Sequence, residues 1–203
     1  MRIHITSNNI TCYMKTKATL PKGWKIESSK HVHSNNFIQV YEDVINIGGT
    51  EKIYTRIKRK NYSTVVPFIS KDQIMVIKSY RHLINSIQIE VPSGYIEPGE
   101  EPKEAAVREL REETGYKANK IIDIGSYTLD YTMFDQKGYL FVAYDLEYEG
   151  LQQLGTMELI EPAIMTVKEV LKLLSEGKIL NASSIVAFYK AINYHSKNRA
   201  NVI

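Results

Sequence analysis

The sequence predicts a mixed α+β fold, in which strands form a sheet that helices cover. Short runs of alternating polar and apolar residues dominate from Trp24 onward, and this period of two is typical of strands. Three segments interrupt or follow these runs with helical composition, at residues 102–114, 167–176 and 183–195. Many strands with only a few helices between and after them favour this fold class.

The length and composition indicate one globular domain with room for a small appended element. The chain has 203 residues, of which 43% are hydrophobic and 24% charged. Its net charge of +3 is too small to argue for a nucleic acid or an anionic membrane surface as a partner. Cys12 is the only cysteine, so an intramolecular disulfide and a cysteine-rich zinc site are excluded. With no apolar run of the roughly 20 residues that span a bilayer and no signal-peptide pattern, we expect a cytoplasmic protein.

The first part of the chain predicts a small antiparallel β subdomain. Residues 1–23 are polar and mixed, and we expect a weakly ordered arm or an extra strand there. Residues 24–62 hold alternating runs, and Gly48-Gly49 between two of these runs is a hairpin signal. The main domain is then expected at residues 63–203.

The main domain opens with two predicted strands. Residues 63–69 and 73–77 are apolar runs joined by a polar turn at Lys71-Asp72. Pro67 lies inside the first run, where it predicts an edge strand or a bulge because proline has no N–H to donate. Further strands are expected at residues 87–91, 121–129, 139–148 and 163–166.

The segment from Pro102 to Thr114 is the clearest predicted helix. It has no glycine and no internal proline, and it is rich in Ala, Glu, Arg and Leu, which favour helix. Pro102 suits the first helical turn, and Gly115 suits the left-handed residue that follows a helix.

One face of this helix carries three glutamates. Glu109, Glu112 and Glu113 are spaced i, i+3 and i+4, so their carboxylates lie together. Like charges at this spacing cost roughly a few tenths of a kcal/mol, and acid in the last turn opposes the helix dipole at roughly 0.3–1 kcal/mol per charge. A sequence selected for stability alone would place Lys or Arg there, so the cluster indicates a site.

Taken alone, the glutamate cluster has two interpretations. Clustered oxygen ligands with no His or Cys nearby favour Mg²⁺ or Mn²⁺ over zinc. A solvated acidic helix face is the competing interpretation, because Arg108 and Arg111 would offset the charge. The residues that flank the helix decide between the two.

The residues from Gly94 to Tyr116 complete a known pattern. The segment GYIEPGEEPKEAAVRELREETGY resembles the Nudix box, G-x5-E-x7-R-E-U-x-E-E-x-G-U, in which U is a bulky aliphatic residue. The single departure is Tyr116 at the closing aliphatic position. The resemblance implies a Nudix hydrolase, with a loop–helix–loop seated in the mixed sheet of an α/β/α sandwich and a metal held by the glutamates. The matching residues are Gly94, Glu100, Arg108, Glu109, Leu110, Glu112, Glu113 and Gly115.

The resemblance implies a role for the main box residues. Glu109 and Glu113 would be the principal metal ligands, and Glu112 would be a further ligand or a catalytic base. The backbone carbonyl of Ser93 would be a main-chain ligand. Arg108 would complete the catalytic set by holding a carboxylate in place. The implied ion is Mg²⁺, with Mn²⁺ as a substitute.

Segments outside the box resemble ADP-ribose pyrophosphatases and related nucleotide-sugar hydrolases. Tyr80-Arg81 and residues 89–94 are similar to the lead into the box in those enzymes. The β-rich stretch at residues 24–62 resembles the subdomain with which they form an intertwined dimer. The resemblance therefore implies a homodimer that binds a small nucleoside diphosphate substrate. Neither nucleic acid nor membrane is expected as a partner, because the net charge is small.

Three further residues take expected roles from this resemblance. Arg81 would contact a substrate phosphate, with a surface salt bridge as the alternative. Phe37 would stack on the nucleobase across the dimer, unless it is an ordinary core residue. Glu158 matches a loop glutamate that acts as general base or extra ligand, with Glu161 as the competing choice and a solvated loop glutamate as the structural alternative.

The segment Leu129–Phe134 departs from this branch of the family. Its members usually carry a Ser-Pro-Gly turn after the strand that follows the box, and Tyr131 stands where that proline is expected. In the broader family, a tyrosine near this position is associated with dinucleoside polyphosphate hydrolases. Tyr131 is therefore a candidate substrate-binding residue that leaves the identity of the substrate open.

The expected reaction is Mg²⁺-dependent hydrolysis of the diphosphate linkage of a nucleoside diphosphate derivative, with ADP-ribose giving AMP and ribose 5-phosphate. Hydrolysis of dinucleoside polyphosphates, or of sugar nucleotides such as GDP-mannose, is the alternative. A catalytically idle domain that binds a nucleotide or RNA as a regulator is an interpretation of another class. Such domains generally lose box glutamates, and this chain retains all of them.

Overall fold

The computed structural model describes residues 23–150, 152–156 and 158–198. The arm or strand predicted at residues 1–23 therefore lies outside the described residues, apart from Gly23. The described strands are β1 (Trp24–Ser34), β2 (Ile38–Ile47), β3 (Thr50–Arg59), β4 (Tyr62–Ser70), β5 (Gln73–Arg81), β6 (Ser86–Glu90), β7 (Ser93–Tyr95), β8 (Tyr116–Tyr127), β9 (Phe134–Asp135), β10 (Gly138–Tyr148) and β11 (Ile160–Thr166). The described helices are α1 (Pro102–Thr114), α2 (Val167–Ser175) and α3 (Ala182–Lys197), with a 3₁₀ turn at His82–Ile84.

The first sheet is formed by the N-terminal strands. Its order is β1-β2-β3-β9, with antiparallel pairing between the first three strands and parallel pairing between β3 and β9. Gly48 and Gly49 join β2 to β3 with φ angles of 58° and 92°, which are the positive values that a two-residue hairpin turn of type I′ requires. The hairpin predicted at this pair is confirmed.

The second sheet is mixed and has seven strands among the described residues. Five of them follow the order β11-β5-β4-β10-β8, while β6 pairs with β5 and β7 pairs with β4. β4 runs parallel to β10, and the other pairs are antiparallel. The prediction of a mixed α+β fold is therefore confirmed.

Helices cover both faces of this second sheet. Val65 of β4 packs with Ala106 and Leu110 of α1 on one face. The next residue, Val66, points to the opposite face, where it packs with Phe188 of α3 in a larger cluster that also includes residues of α2. Because successive side chains of a strand alternate between faces, β4 is buried on both sides. This is the α/β/α sandwich that the resemblance implied.

The expectation for Pro67 is only partly met. β4 is an interior strand, since it lies between β5 and β10, so the edge position is wrong. On the side away from β10, however, β4 pairs with β7 at residues 62–64 and with β5 at residues 68–70. Pro67 lies between these two ladders, so its missing N–H removes no bond from either one.

The ends of α1 agree with local sequence signals. Pro102 begins the helix after Glu101, whose side chain forms a reciprocal capping box with Glu104. Gly115 ends it with φ of 76°, and its N–H donates to the carbonyl of Arg111 at 2.8 Å. The helix bounds are those predicted. β8 begins at Tyr116, five residues earlier than predicted, because the chain turns directly from Gly115 into the sheet.

A search of the described residues for a helix long and apolar enough to cross a membrane finds none.

Replacing Gly115 with Ala should destabilise the protein by more than the same change at Gly177. Both glycines have positive φ, 76° and 65°, which costs an L-residue roughly 1–2 kcal/mol. A Cβ at Gly115 would in addition overlap the backbone carbonyl oxygen of Gly150, whereas a Cβ at Gly177 meets no atom within 4 Å. Urea denaturation should give a loss of about 1 kcal/mol for Gly177→Ala and at least about twice that for Gly115→Ala. Equal losses would contradict the close approach of residue 150.

Candidate active site

The centre of the site is a contact between α1 and β7. The backbone N–H of Ser93 donates to the Glu113 carboxylate at 2.9 Å. The Glu109 carboxylate lies so close to Gly94 that a Cβ at this position would overlap it. Glycine is therefore required beside Glu109 for a steric reason, and both carboxylates lie against the backbone of residues 93–94.

Arg108 connects the glutamates to the loop that precedes the helix. Its Nη1 donates to Glu109 at 2.6 Å and to Glu112 at 3.0 Å. Its Nε and Nη2 donate to the two Glu100 oxygens at 2.8 and 3.0 Å, and Nη2 also reaches the carbonyl of Tyr95 at 2.9 Å. One guanidinium therefore orients three carboxylates, as expected of a residue that holds ligands in place. Its hydrogen bonds, and after them its charge, lower the pKa of Glu100.

The electrostatics of the glutamate face are unfavourable to negative charge. Burial raises the pKa of Glu113 well above its ordinary value, and the charges of Glu109 and Glu158 raise it further, although the Ser93 N–H opposes the shift. Burial also raises the pKa of Glu109, against the opposing effect of Arg108. Carboxylates brought together in a desolvated place favour either a proton or a cation.

The donor set suits a hard divalent cation. Carboxylate oxygens from Glu109, Glu112 and Glu113 and a backbone carbonyl at Ser93 are ligands that Mg²⁺ prefers, and the close approach at Gly94 leaves the Glu109 carboxylate beside that backbone. Within the part of the chain that the structure describes, no three Asp, Glu, His or Cys side chains already converge as a metal cage. Glu109 and Glu112 turn towards Arg108 instead.

Arg81 is held by a buried carboxylate. Its Nε donates to Glu90 at 2.9 Å, and its Nη2 donates to the second oxygen of the same carboxylate. The Glu90 side chain is 2% exposed, whereas that of Arg81 is 48% exposed. This bidentate bond raises the pKa of Arg81 and fixes its orientation. A salt bridge with Glu90 and the expected contact with a substrate phosphate are therefore compatible with each other, because the paired guanidinium still faces a cavity.

That cavity, here called the β7 cavity, lies next to the glutamate face and has a volume of about 320 Å³. Arg81, Ser93 and Gly94 form one wall. The remainder comes from the end of β3 in the first sheet, from β4 and β7 in the second sheet, from the segment between β8 and β10, and from the start of α3. The other lining residues are Arg59, Tyr62, Tyr95, Leu129, Gln136, Asn181 and Ser183.

Glu158 approaches the same group from the loop before β11. Its charge raises the pKa values of Glu109 and Glu113, and it also raises that of Arg81. One of its carboxylate oxygens accepts a bond from the N–H of Gly155 at 2.7 Å. Glu161, the competing choice, instead pairs with Lys78 at 2.9 Å.

Comparison with known proteins identifies the family. Residues 59–185, well over half of the chain, match the NUDIX domain. The chain belongs to that family. The predictions of a Nudix fold and of a Nudix hydrolase are thereby confirmed.

Relatives of this Nudix protein carry more specific names. ADP-ribose pyrophosphatase of Bacillus subtilis is 28% identical over 165 residues, which are 80% of this chain and 89% of the relative. A methanol dehydrogenase activator of Bacillus methanolicus is 29% identical over 127 residues, 61% of this chain and 67% of the relative. The solved structure of an ADP compounds hydrolase has a TM-score of 0.78 at 23% identity, with 89% of this chain and 98% of that chain covered. The last similarity shows the fold alone.

Phe37 and Tyr131 were both expected at the Nudix site, but in the single chain they lie away from it. Phe37 lies next to the turn between β1 and β2, is 66% exposed and lines a different cavity, so the alternative of an ordinary core residue is wrong. Tyr131 is 86% exposed and lines a separate cavity of about 510 Å³ between β3 and residues 128–137. Neither contributes to the β7 cavity. Their roles in substrate binding stay predictions.

Sequence reasoning did not single out three residues of this site. Glu90 is the partner that orients Arg81, and Arg59 and Tyr62 line the β7 cavity. Glu90 lies within residues 89–94, which resemble the lead into the box, but that resemblance implied no role for its side chain. Arg59 belongs to a run of basic residues at a strand end. Such a run is more often a solvated surface than a binding site.

Removal of Arg81 should destabilise the protein more than removal of the charge on Glu90. Arg81→Met leaves a buried carboxylate without its cation, and we expect a loss of about 3 kcal/mol in the free energy of unfolding. Glu90→Gln leaves a half-exposed guanidinium that water can solvate, so we expect about 1 kcal/mol. Urea denaturation of both variants and of the double variant measures the coupling.

The exposed pair of Lys78 and Glu161 is a matched control for that experiment. Both side chains are largely solvated, 40% and 71% exposed, so Lys78→Met should change stability by less than about 1 kcal/mol. If Arg81→Met were as mild as Lys78→Met, the buried pair would not hold Arg81 in place.

Proposed function

We propose that this Nudix hydrolase cleaves the diphosphate linkage of a nucleoside diphosphate derivative, with ADP-ribose giving AMP and ribose 5-phosphate. The observation that supports this most strongly is the convergence of the glutamate face of α1 and the guanidinium of Arg81 on the two sides of residues 93–94. A diphosphate requires negative ligands to hold its cation and positive groups to hold its oxygens. The name of the Bacillus subtilis relative supports ADP-ribose as the substrate.

The metal ligands in this proposal are Glu109, Glu113, the Ser93 carbonyl and Glu112, and the ion is Mg²⁺ or Mn²⁺. The raised pKa values of Glu109 and Glu113 support it, because they come from burial and then from neighbouring carboxylates, and a bound cation offsets the cost of both. When bound, such an ion acidifies a water molecule and neutralises charge on the diphosphate.

The side chains of the chain perform the remaining tasks. Arg81, oriented by Glu90, donates to phosphate oxygens through its half-exposed guanidinium. Arg108 keeps the carboxylates of Glu109 and Glu112 in position through its bonds to both. A carboxylate then accepts the proton of the attacking water.

Glu158 is the proposed proton acceptor. Its charge acts on Glu109, Glu113 and Arg81, which lie on both sides of the place where the diphosphate would bind. Glu112, the alternative, is bonded to Arg108, and its charge raises the pKa of Glu109. This position beside Glu109 supports Glu112 as a further ligand.

The competing functions are a dinucleoside polyphosphate or sugar-nucleotide hydrolase and a catalytically idle regulator. Tyr131 keeps the first alternative open, since it replaces the proline of the ADP-ribose branch. The name of the Bacillus methanolicus relative is an argument for a regulatory role. A regulator would not need the repulsive cluster of Glu109 and Glu113, whereas a hydrolase does, so the electrostatics favour hydrolysis.

We also propose that two copies of the chain form a homodimer through the first sheet. Every residue of β1 is exposed in the single chain, and Asp43 is the only buried residue in β1, β2 and β3. Apolar side chains are among those left in water, namely Trp24, Ile26, Val32, Phe37, Ile53 and Tyr54. A sheet with so much exposed apolar surface requires another surface to cover it.

Ile53→Lys should weaken this dimer. Ile53 is 69% exposed in the single chain, so the change puts a charge on the surface that a partner would cover without disturbing the core. Analytical ultracentrifugation should give a dimer for the unmodified chain and a larger monomer fraction for the variant. Ile164→Lys, at a 53% exposed position on β11 in the other sheet, is the control. A monomer for the unmodified chain would contradict the proposal.

Glu113→Gln and Glu158→Gln should impair hydrolysis of ADP-ribose in different ways. Glu113→Gln removes a ligand, so the Mg²⁺ concentration for half-maximal activity should rise at least about tenfold. Glu158→Gln removes the proton acceptor, so kcat should fall by roughly 10²- to 10⁴-fold with the Mg²⁺ requirement unchanged. Steady-state kinetics over a Mg²⁺ series measure both effects.

Glu147→Gln is the control for charge loss, because Glu147 lies on β10 and pairs with Lys117 away from the site. Its kinetics should match those of the unmodified enzyme. Full activity of Glu113→Gln at any Mg²⁺ concentration would overturn the metal assignment. If Glu112→Gln lost kcat without a change in Mg²⁺ requirement while Glu158→Gln stayed active, Glu112 would be the base.

A further inference from the structure

Arg59 differs from the other arginines that the structure describes. Of these five, four form ion pairs with carboxylates, namely Arg56 with Asp43, Arg81 with Glu90, Arg108 with Glu100 and Arg111 with Glu149. Arg59 forms no ion pair with any described carboxylate. It is nevertheless only partly exposed, so its charge is not simply surrounded by water. A partly buried cation without an anion is unfavourable unless a ligand supplies the anion.

The immediate surroundings of Arg59 hold hydroxyl groups rather than carboxylates. Its Nη2 donates to the hydroxyl of Tyr95 at 2.6 Å, and its guanidinium carbon lies 6.0 Å from the centre of the same ring. Its Nε is buried and has no hydrogen-bond partner among the described residues. Buried polar atoms without partners are rare in folded proteins and mark either strain or a missing ligand.

Arg59 and Tyr62 line the β7 cavity together with Arg81. The lining residues that the structure describes include two arginines and no carboxylate, so the cavity as a whole selects for negative charge. Asn181 and Ser183 at the start of α3 also contribute to the lining, so the positive end of that helix dipole lies at the cavity. Asp130 lies in a smaller adjoining cavity of about 90 Å³, where its carboxylate is already bonded to Thr132.

The spacing along β7 separates Arg59 from the place of cleavage. Ser93, the proposed backbone ligand, and Tyr95, the partner of Arg59, are two residues apart on this strand and share one face. Two residues of a strand span on the order of 6.5–7 Å. Arg59 is therefore anchored to a different point of the cavity lining from the backbone that would hold the metal ion at the cleaved diphosphate.

We infer that Arg59, with the hydroxyl of Tyr95, binds an additional phosphate group of the substrate, beyond the diphosphate that is cleaved. The guanidinium fork and this hydroxyl match the oxygens of a phosphate. This group is either a third phosphate in the bridging chain or a phosphate on a ribose. The inference rests on the proposed diphosphate hydrolysis and specifies which members of that substrate class the enzyme prefers.

Substrate selectivity of the full chain tests this assignment. The variants are Arg59→Gln, Tyr95→Phe and the control Lys58→Gln, which removes the same charge from the neighbouring, exposed position outside the β7 cavity. Each is assayed with Mg²⁺ on ADP-ribose, on diadenosine triphosphate and on ADP-ribose 2′-phosphate. Thermal melting checks that each variant is folded. Calorimetric binding of inorganic tripolyphosphate adds a measurement that needs no turnover.

Arg59→Gln should lower kcat/KM roughly 10- to 100-fold for one of the two phosphate-rich substrates, which is the effect of losing a charge-assisted hydrogen bond. Its kcat/KM for ADP-ribose should fall by a clearly smaller factor. Tyr95→Phe should shift selectivity in the same direction by less than Arg59→Gln does, and Lys58→Gln should not shift it. A loss confined to diadenosine triphosphate, with weaker binding of tripolyphosphate, identifies a phosphate in the chain. A loss confined to ADP-ribose 2′-phosphate identifies a phosphate on the ribose.

Equal losses on all three substrates, or no loss on any of them, would overturn the assignment. If the unmodified chain hydrolysed none of the compounds, the proposed function would fail by itself. The calorimetric comparison of Arg59→Gln with Lys58→Gln would still decide whether Arg59 binds a phosphate, and equal affinities there would refute it.

Discussion

The site depends on one contact, the approach of α1 to β7 that brings the Glu113 carboxylate to the backbone N–H of Ser93. This contact removes two carboxylates from water and sets them beside each other, as the raised pKa values of Glu109 and Glu113 record. The fold must compensate for that repulsion. It does so in part with the Ser93 amide and with Arg108, and the remaining negative potential is what attracts a cation.

Ordinary packing on the other face of α1 supplies the stability that the glutamate face lacks. Ala106 and Leu110 are fully buried against Val65 of β4. The hydroxyl of Ser63, also on β4, donates to the carbonyl of Pro102 at 2.6 Å and fixes the start of the helix. Because these contacts hold the helix independently of its charged face, its carboxylates are free to serve a ligand rather than the fold.

Local signals in the sequence predict the elements of this fold better than they predict the walls of the cavity. Both ends of α1 could be predicted because Pro102 and Gly115 act within one helical turn, and the box glutamates follow from spacing on that helix. The interior position of β4 could not be predicted from Pro67, because the change of partner near this residue is a tertiary arrangement. The pairing of Arg81 with Glu90 and the place of Arg59 beside Tyr95 also depend on how strands pair, and no local pattern encodes that.

The connection between the two sheets has a mechanical consequence. Arg59 is the last residue of β3 and Tyr62 the first of β4, so only Lys60 and Asn61 separate the sheet that carries the exposed apolar surface from the sheet against which α1 packs. The pairing of β9 with β3 adds a second connection near the same place. Because this joint is short and is bonded to Tyr95 and Ile96, a displacement of the first sheet would be transmitted directly to the wall of the β7 cavity.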